Sequence, residues 1–153
     1  MLQNAIAEIY KILVTQNPTA YANMQSLEPS MHIEGYVLFF EIWEGTLVVA
    51  DITGLPTENI NCSPHFFGFH VHDKDVHYNP EQCLHPSHAG DMPPLLGKNG
   101  FAWQMFYTGY FKPSEIIGKT AVIHSHQDDF TSQPSGNSGN MIAVGLIQPY
   151  QQT

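Results

Sequence analysis

The sequence predicts an all-β sandwich or barrel of about eight antiparallel strands, preceded by a short helical extension. Two observations carry this. Short segments rich in aromatic and β-branched residues recur from residue 19 onward, and turn signals built on Gly, Pro and Asn fall between them. Helical periodicity is confined to the first residues of the chain. At 153 residues, the length suits one domain with an ordinary core.

The elements follow in order. Leu2, Ala5, Ile6, Ile9, Ile12 and Leu13 stand at helical spacing, and Asn17-Pro18 stops the pattern. Residues 1–17 therefore read as a helical extension and 18–153 as the β domain. The helix serves either to pack on the β domain or to pair copies of the chain. Strands are expected over Thr19–Gln25, Met31–Trp43, Thr46–Ile52, Phe66–His72, Phe101–Tyr107, Lys119–His124 and Met141–Gln148. Glu44-Gly45 turns the second strand into the third, and Gly97-Lys98-Asn99-Gly100 has the composition of a hairpin turn. Ser132–Asn140 reads as a loop.

The candidate chemistry lies between positions 70 and 124. His70, His72, His77, His85, His88, Asp91 and His124 can each ligate a metal, and their spacing fits two metals sharing one ligand. Alternate residues of a strand share a face, so His70 and His72 aim two imidazoles at one point. His77, His85, His88 and Asp91 fall in a Pro-, Gly- and Asn-rich stretch expected to be loop. Three nitrogens and one carboxylate oxygen there suit a tetrahedral zinc site. His124 ends an apolar strand and is free to join the His70/His72 pair. A lone His-x-His is more often two solvated imidazoles; the whole ordered set argues against that here.

These motifs resemble the copper/zinc superoxide dismutase family over about residues 30–148. The matching segments are GFHVH (68–72), HYNP (77–80), HAGD (88–91), GKTAVIHSHQDD (118–129) and GNSGNMIAVG (136–145). The resemblance implies a Greek-key β-barrel. It implies copper on His70, His72, His77 and His124, and zinc on His77, His85, His88 and Asp91, with His77 shared. The four copper histidines would be the catalytic residues, superoxide the substrate, and oxygen and hydrogen peroxide the products. Asp128 would link His70 to His85 from behind the ligands, fixing their tautomers. A homodimer is compatible with the resemblance.

Three departures accompany it. The chain contains no arginine, and Met141 occupies the family's substrate-guiding position. Val144 stands where one cysteine of the family's disulfide is expected, and the segment between His72 and His77 is shortened. His85 and His88 are separated by only two residues. An alternative function is thus a dismutase-like protein that holds zinc, or copper and zinc, with little or no turnover.

Composition bounds the rest. Lys plus Arg number 5 against 14 Asp plus Glu, for a net charge of −9. That disfavours nucleic acid and anionic membrane surfaces as partners, and it slows an anionic substrate. No apolar run is long enough to span a bilayer. Residues 1–16 lack the basic start of a signal peptide, so a cytoplasmic location is expected, or an exported one if Met1 is not the native start. Cys62 and Cys83 are expected as free thiols, the alternative being a bridge between them. His32 and His65 are expected at the surface. His126 is placed near the copper mouth as a weak cation, and Met141 is read as packing with a thioether within reach of copper.

Overall fold

The computed structural model describes residues 2–57 and 65–151. The chain runs α1 (Leu2–Thr15), β1 (Ala20–Ser26), β2 (Glu34–Ile42), β3 (Gly45–Thr53), β4 (His65–Phe67), β5 (Phe69–Asp73), β6 (Val76–His77), β7 (Leu95–Gly97), β8 (Phe101–Thr108), α2 (Pro113–Ile116), β9 (Thr120–His124) and β10 (Met141–Pro149). Eight strands form one antiparallel sheet in the order β6-β5-β9-β10-β1-β2-β3-β8, and β4 pairs with β7. β1, β2 and β3 follow one another as neighbours, and β10 returns beside β1, as in a Greek key. The fold class is the all-β barrel the sequence predicts.

One face of the sheet is apolar from β5 to β8. Ala20, Ala22 and Met24 of β1, Val48, Ala50 and Ile52 of β3, Phe69 and Val71 of β5, and Ala121 and Ile123 of β9 belong to one buried cluster. Alternate residues share a face, so these strands place every second side chain in this core.

The helix forms where the period placed it, but its inward face is narrower than expected. Ile12 is buried with Phe40, Ile42 and Leu47, and Ile9 packs against that cluster. Ile6 and Leu13 are exposed, because only one stripe of a helix lying on a flat sheet reaches it. Trp43 Nε1 donates to Glu8 Oε2 at 2.9 Å and fastens the helix to the β2–β3 turn.

Two further differences bear on the site, and one expected turn forms as read. The segment expected as one strand over Phe66–His72 breaks at Gly68. There the backbone leaves β4 and crosses to β9, with Gly68 N–H donating to His126 O at 2.7 Å. A Cβ at Gly68 would lie 2.8 Å from Ser138 Cβ, so only glycine fits the crossing. His77, expected in a loop, stands on β6, where it pairs with His72 across a tight hairpin. The hairpin at residues 97–100 forms around Asn99 (φ 55) and Gly100 (φ +79), with paired bonds between Lys98 and Phe101.

Candidate metal centre

The seven side chains converge. His70 and His72 come from β5, His77 from β6 and His124 from β9, three neighbouring strands at one end of the sheet. His85, His88 and Asp91 come from the segment after β6, which folds back over these strands. Gly90 donates its N–H to Tyr78 O at 2.7 Å, and Asp91 bridges to His70. A Cβ at Gly90 would sit 2.3 Å from Val71 O, so the fold-back needs glycine.

Two groups result, and His77 belongs to both. His70, His72, His77 and His124 form one, and His77, His85, His88 and Asp91 the other, with the atoms of each within 4.8 Å of one another. On the first side, His124 Nε2 and His72 Nε2 lie 3.3 Å apart. On the second, His77 Nδ1 lies 2.6 Å from Asp91 Oδ1 and 3.4 Å from His88 Nδ1. His85 Nδ1 is 3.1 Å from Asp91 Oδ2, outside hydrogen-bond geometry. His77 thus turns Nδ1 to the second group, while its Nε2 is buried without a partner on the first.

All six histidines are at most 6% exposed. Burial, and then the charges of His77 and His124, push the His70 imidazole down to about 2 and that of His72 to about 3. Burial also lowers His124. Burial opposes the charge of Asp91, but hydrogen bonds from His77 and the His88 backbone hold its carboxyl below the ordinary range. Burial disfavours the charged forms of His70, His72 and His124, so these crowded ring nitrogens are short of a cation. The buried, unpartnered His70 Nδ1, His77 Nε2 and His85 Nδ1 are the atoms a cation would satisfy. The all-imidazole group suits copper, and the three imidazoles plus carboxylate suit zinc.

Asp128 holds the two halves together from behind. Its Oδ2 lies 2.8 Å from His70 Nε2 and its Oδ1 2.9 Å from His85 Nε2, with the carboxylate almost wholly buried. A carboxylate only accepts, so both rings carry their proton on Nε2 and leave Nδ1 bare. Asp129 does something different. Exposed, it caps its own turn, taking bonds from Thr131 N–H, Ser132 N–H and Ser132 Oγ.

Two supporting residues escaped the reading of the sequence. Gln133 clamps the backbone of His85, with Nε2 donating to His85 O at 2.7 Å and Oε1 accepting from His85 N–H at 3.1 Å. Gly136 (φ +66) lies against the buried carboxylate, where a Cβ would meet Asp128 Oδ1 at 2.0 Å. The glycine-rich composition of 132–140 signalled a loop; nothing in it signalled which partner the loop covers.

The remaining expectations divide. His32 is exposed. His65 is half-buried rather than at the surface, stacked on Phe67 with ring centroids 4.1 Å apart. A cleft of about 730 Å³ opens over His72, His77 and His124 of the first group and reaches His88 of the second, and Met141 is in its wall. His126 is not part of that wall; its Nδ1 lies 3.1 Å from Ser125 Oγ, outside the mouth. Cys83 is exposed in the ligand loop, and Cys62 lies outside the described residues, as does any bridge between the two. No helix among the described residues is long and apolar enough to cross a membrane.

A curled antiparallel barrel carrying two histidine-rich groups that share one imidazole defines a class of binuclear metal proteins. Residues 33–147 match the family described as copper/zinc superoxide dismutase, and the chain belongs to that family. It is 30% identical over 136 residues to mouse (Mus musculus) extracellular superoxide dismutase [Cu-Zn], covering 75% of this chain and 53% of the relative. It thus spans about half the length of that protein. Superoxide dismutase [Cu-Zn] of Deinococcus radiodurans is 28% identical over 159 residues, covering 86% of this chain and 85% of the relative. Superoxide dismutase [Cu-Zn] A of Xenopus laevis is 30% identical over 140 residues, covering 79% and 93%.

Proposed function

We propose that this chain dismutes superoxide to oxygen and hydrogen peroxide, with copper held by His70, His72, His77 and His124 and zinc by His77, His85, His88 and Asp91. The observation that carries the reading is the double membership of His77, with Nδ1 in the second group and a bare, buried Nε2 in the first. Bound copper supplies the one-electron oxidation and reduction of superoxide, and zinc has no redox chemistry of its own.

The residues supply the rest. His77 turns Nδ1 to Asp91 and the zinc side, so Nε2 is the ring nitrogen that would face copper and that can carry a proton when no metal holds it. Asp128 keeps the protons of His70 and His85 on the nitrogens turned away from the metals. The cleft brings a small anion to His72, His77 and His124 through walls that include Val76, Tyr78 and Met141.

A metal-holding protein with little turnover is the second reading, favoured by the net charge of −9 and by Met141 on the cleft wall in place of a guiding arginine. Metal content measured with superoxide turnover separates the two. Copper-loaded protein with catalytic turnover supports the enzyme. Copper-loaded protein without turnover, or protein that takes only zinc, supports the holder.

A further inference from the structure

The connection between the copper-side strands β5 and β6 has been cut to a hairpin. His72 pairs with His77 and Asp73 with Val76, leaving Lys74 and Asp75 as its tip. Lys74 sits there at φ 60, a conformation that costs a non-glycine residue free energy and fixes the direction of the turn. Only two residues of extended backbone, about 7 Å, separate Lys74 from His72. The turn brings Lys74 into the wall of the cleft that reaches His72, His77 and His124, and also His88.

Lys74 is the one lysine of that wall among the described residues, and the chain has no arginine. The other cations are committed or distant. Lys112 pairs with Glu44. Lys119 pairs with Asp73 at 2.8 Å and lies over the Tyr78 ring. Lys11 is on α1 and Lys98 in the β7–β8 turn. The Lys119 pair matters to the rim, because it offsets much of the charge of Asp73, which Lys74 also faces; Asp75 is the other carboxylate of that wall among the described residues. The other walls include Val76, Tyr78, Pro80, Pro134 and Met141. Walls of this kind focus a charge into the cleft that open water would screen.

We propose that Lys74 is the positioning cation of this cleft: it draws small monoanions, superoxide among them, toward the copper-side histidines of a protein whose overall charge repels them. The inference rests on the dismutase reading for its substrate, but not for its geometry. One exposed charge acting across roughly 10 Å of water changes an encounter rate about twofold, and apolar walls raise that, so about two- to fivefold is expected.

The test uses protein with matched, verified copper and zinc content and two readouts. One is the dissociation constant of azide, a small linear monoanion, followed by the visible absorption of the copper. The other is kcat/KM for superoxide against ionic strength. Lys74→Gln is expected to weaken azide and lower kcat/KM by about two- to fivefold each, with a flatter salt dependence. Asp75→Asn should move both the other way, and Lys74→Arg should hold the original values. Unchanged azide affinity in both Lys74→Gln and Asp75→Asn overturns the inference. Azide binding that follows the rim charge in protein with no superoxide turnover keeps the anion role of Lys74 and sinks the dismutase reading instead.

Discussion

Replacing Asp128 by asparagine keeps the shape of the side chain and changes one oxygen into a donor. Oδ1 accepts from both His85 Nε2 and Phe130 N–H, at 2.9 and 2.7 Å, whereas Oδ2 accepts only from His70 Nε2. The amide oxygen of asparagine therefore stays on the His85 side and the NH₂ turns to His70. Two donors then face each other in a buried space, unless His70 moves its proton to Nδ1, the unpartnered nitrogen proposed to hold copper. A hydrogen bond to a charged group contributes about 1.5–3 kcal/mol, which corresponds to about 10–100-fold in metal affinity. Copper affinity should fall by that factor and zinc affinity by less, since His85 keeps its acceptor. Chelator competition with elemental analysis of the bound metal measures both. Asp129→Asn is the control: it weakens the exposed turn at 129–132 and should leave both affinities within about twofold. Equal losses from the two variants, or none from Asp128→Asn, would refute a bridging role for Asp128.

Other outcomes follow from the same geometry. Met141→Arg puts a cation into the cleft wall and should raise kcat/KM several-fold, within the roughly 10–10³ range of electrostatic steering, and make it more salt-sensitive; stopped-flow assays at two ionic strengths decide this. Gly136→Ala drives a methyl into the Asp128 carboxylate and strains φ +66, so metal retention and melting temperature should both fall, by more than for Gly118→Ala, whose Cβ meets nothing within 4 Å. For metal-free protein the pH dependence has a definite sign. His70 and His72 are lowered from 6.5 to about 2 and about 3 in the fold, so the unfolded chain binds more protons throughout that window. Their contribution is fully present above about pH 6.5 and should be lost steadily as the pH falls toward 3, at about 2 kcal/mol per imidazole by pH 5. Melting temperatures of metal-free protein at pH 7.5 and pH 5 check it; no difference would mean that the imidazoles are solvated.

The strands were legible because each puts alternate apolar residues on one face, a period that survives without knowledge of the partners. Their boundaries shifted by a residue or so, except at the start of β2, which begins at Glu34 and not at Met31, and where the chain changes partner at Gly68. No local pattern marks that break, since the cause is the approach of Ser138, far along the sequence. The helix was legible, but its inward stripe was drawn too wide, because Ile6 and Leu13 fit the period without reaching the sheet. The gathering of seven ligand side chains was visible in the motifs alone. Its supports were not: Gln133 acts through backbone atoms of His85, and Gly136 through the space it leaves for Asp128. Those are properties of proximity, and a one-dimensional pattern does not contain them. The β6 placement of His77 was hidden for the same reason, as two residues are too few to show a strand period.

If one imidazole serves two metals, anomalous diffraction from the copper- and zinc-loaded protein at the two absorption edges will show both ions on His77. A copper ion is expected at about 2.0–2.1 Å from His77 Nε2, shared with His70, His72 and His124. A zinc ion is expected at a similar distance from His77 Nδ1, shared with His85, His88 and Asp91. A zinc ion bound elsewhere with His85 or Asp91 turned to solvent, or His77 touching one ion only, would contradict that sharing.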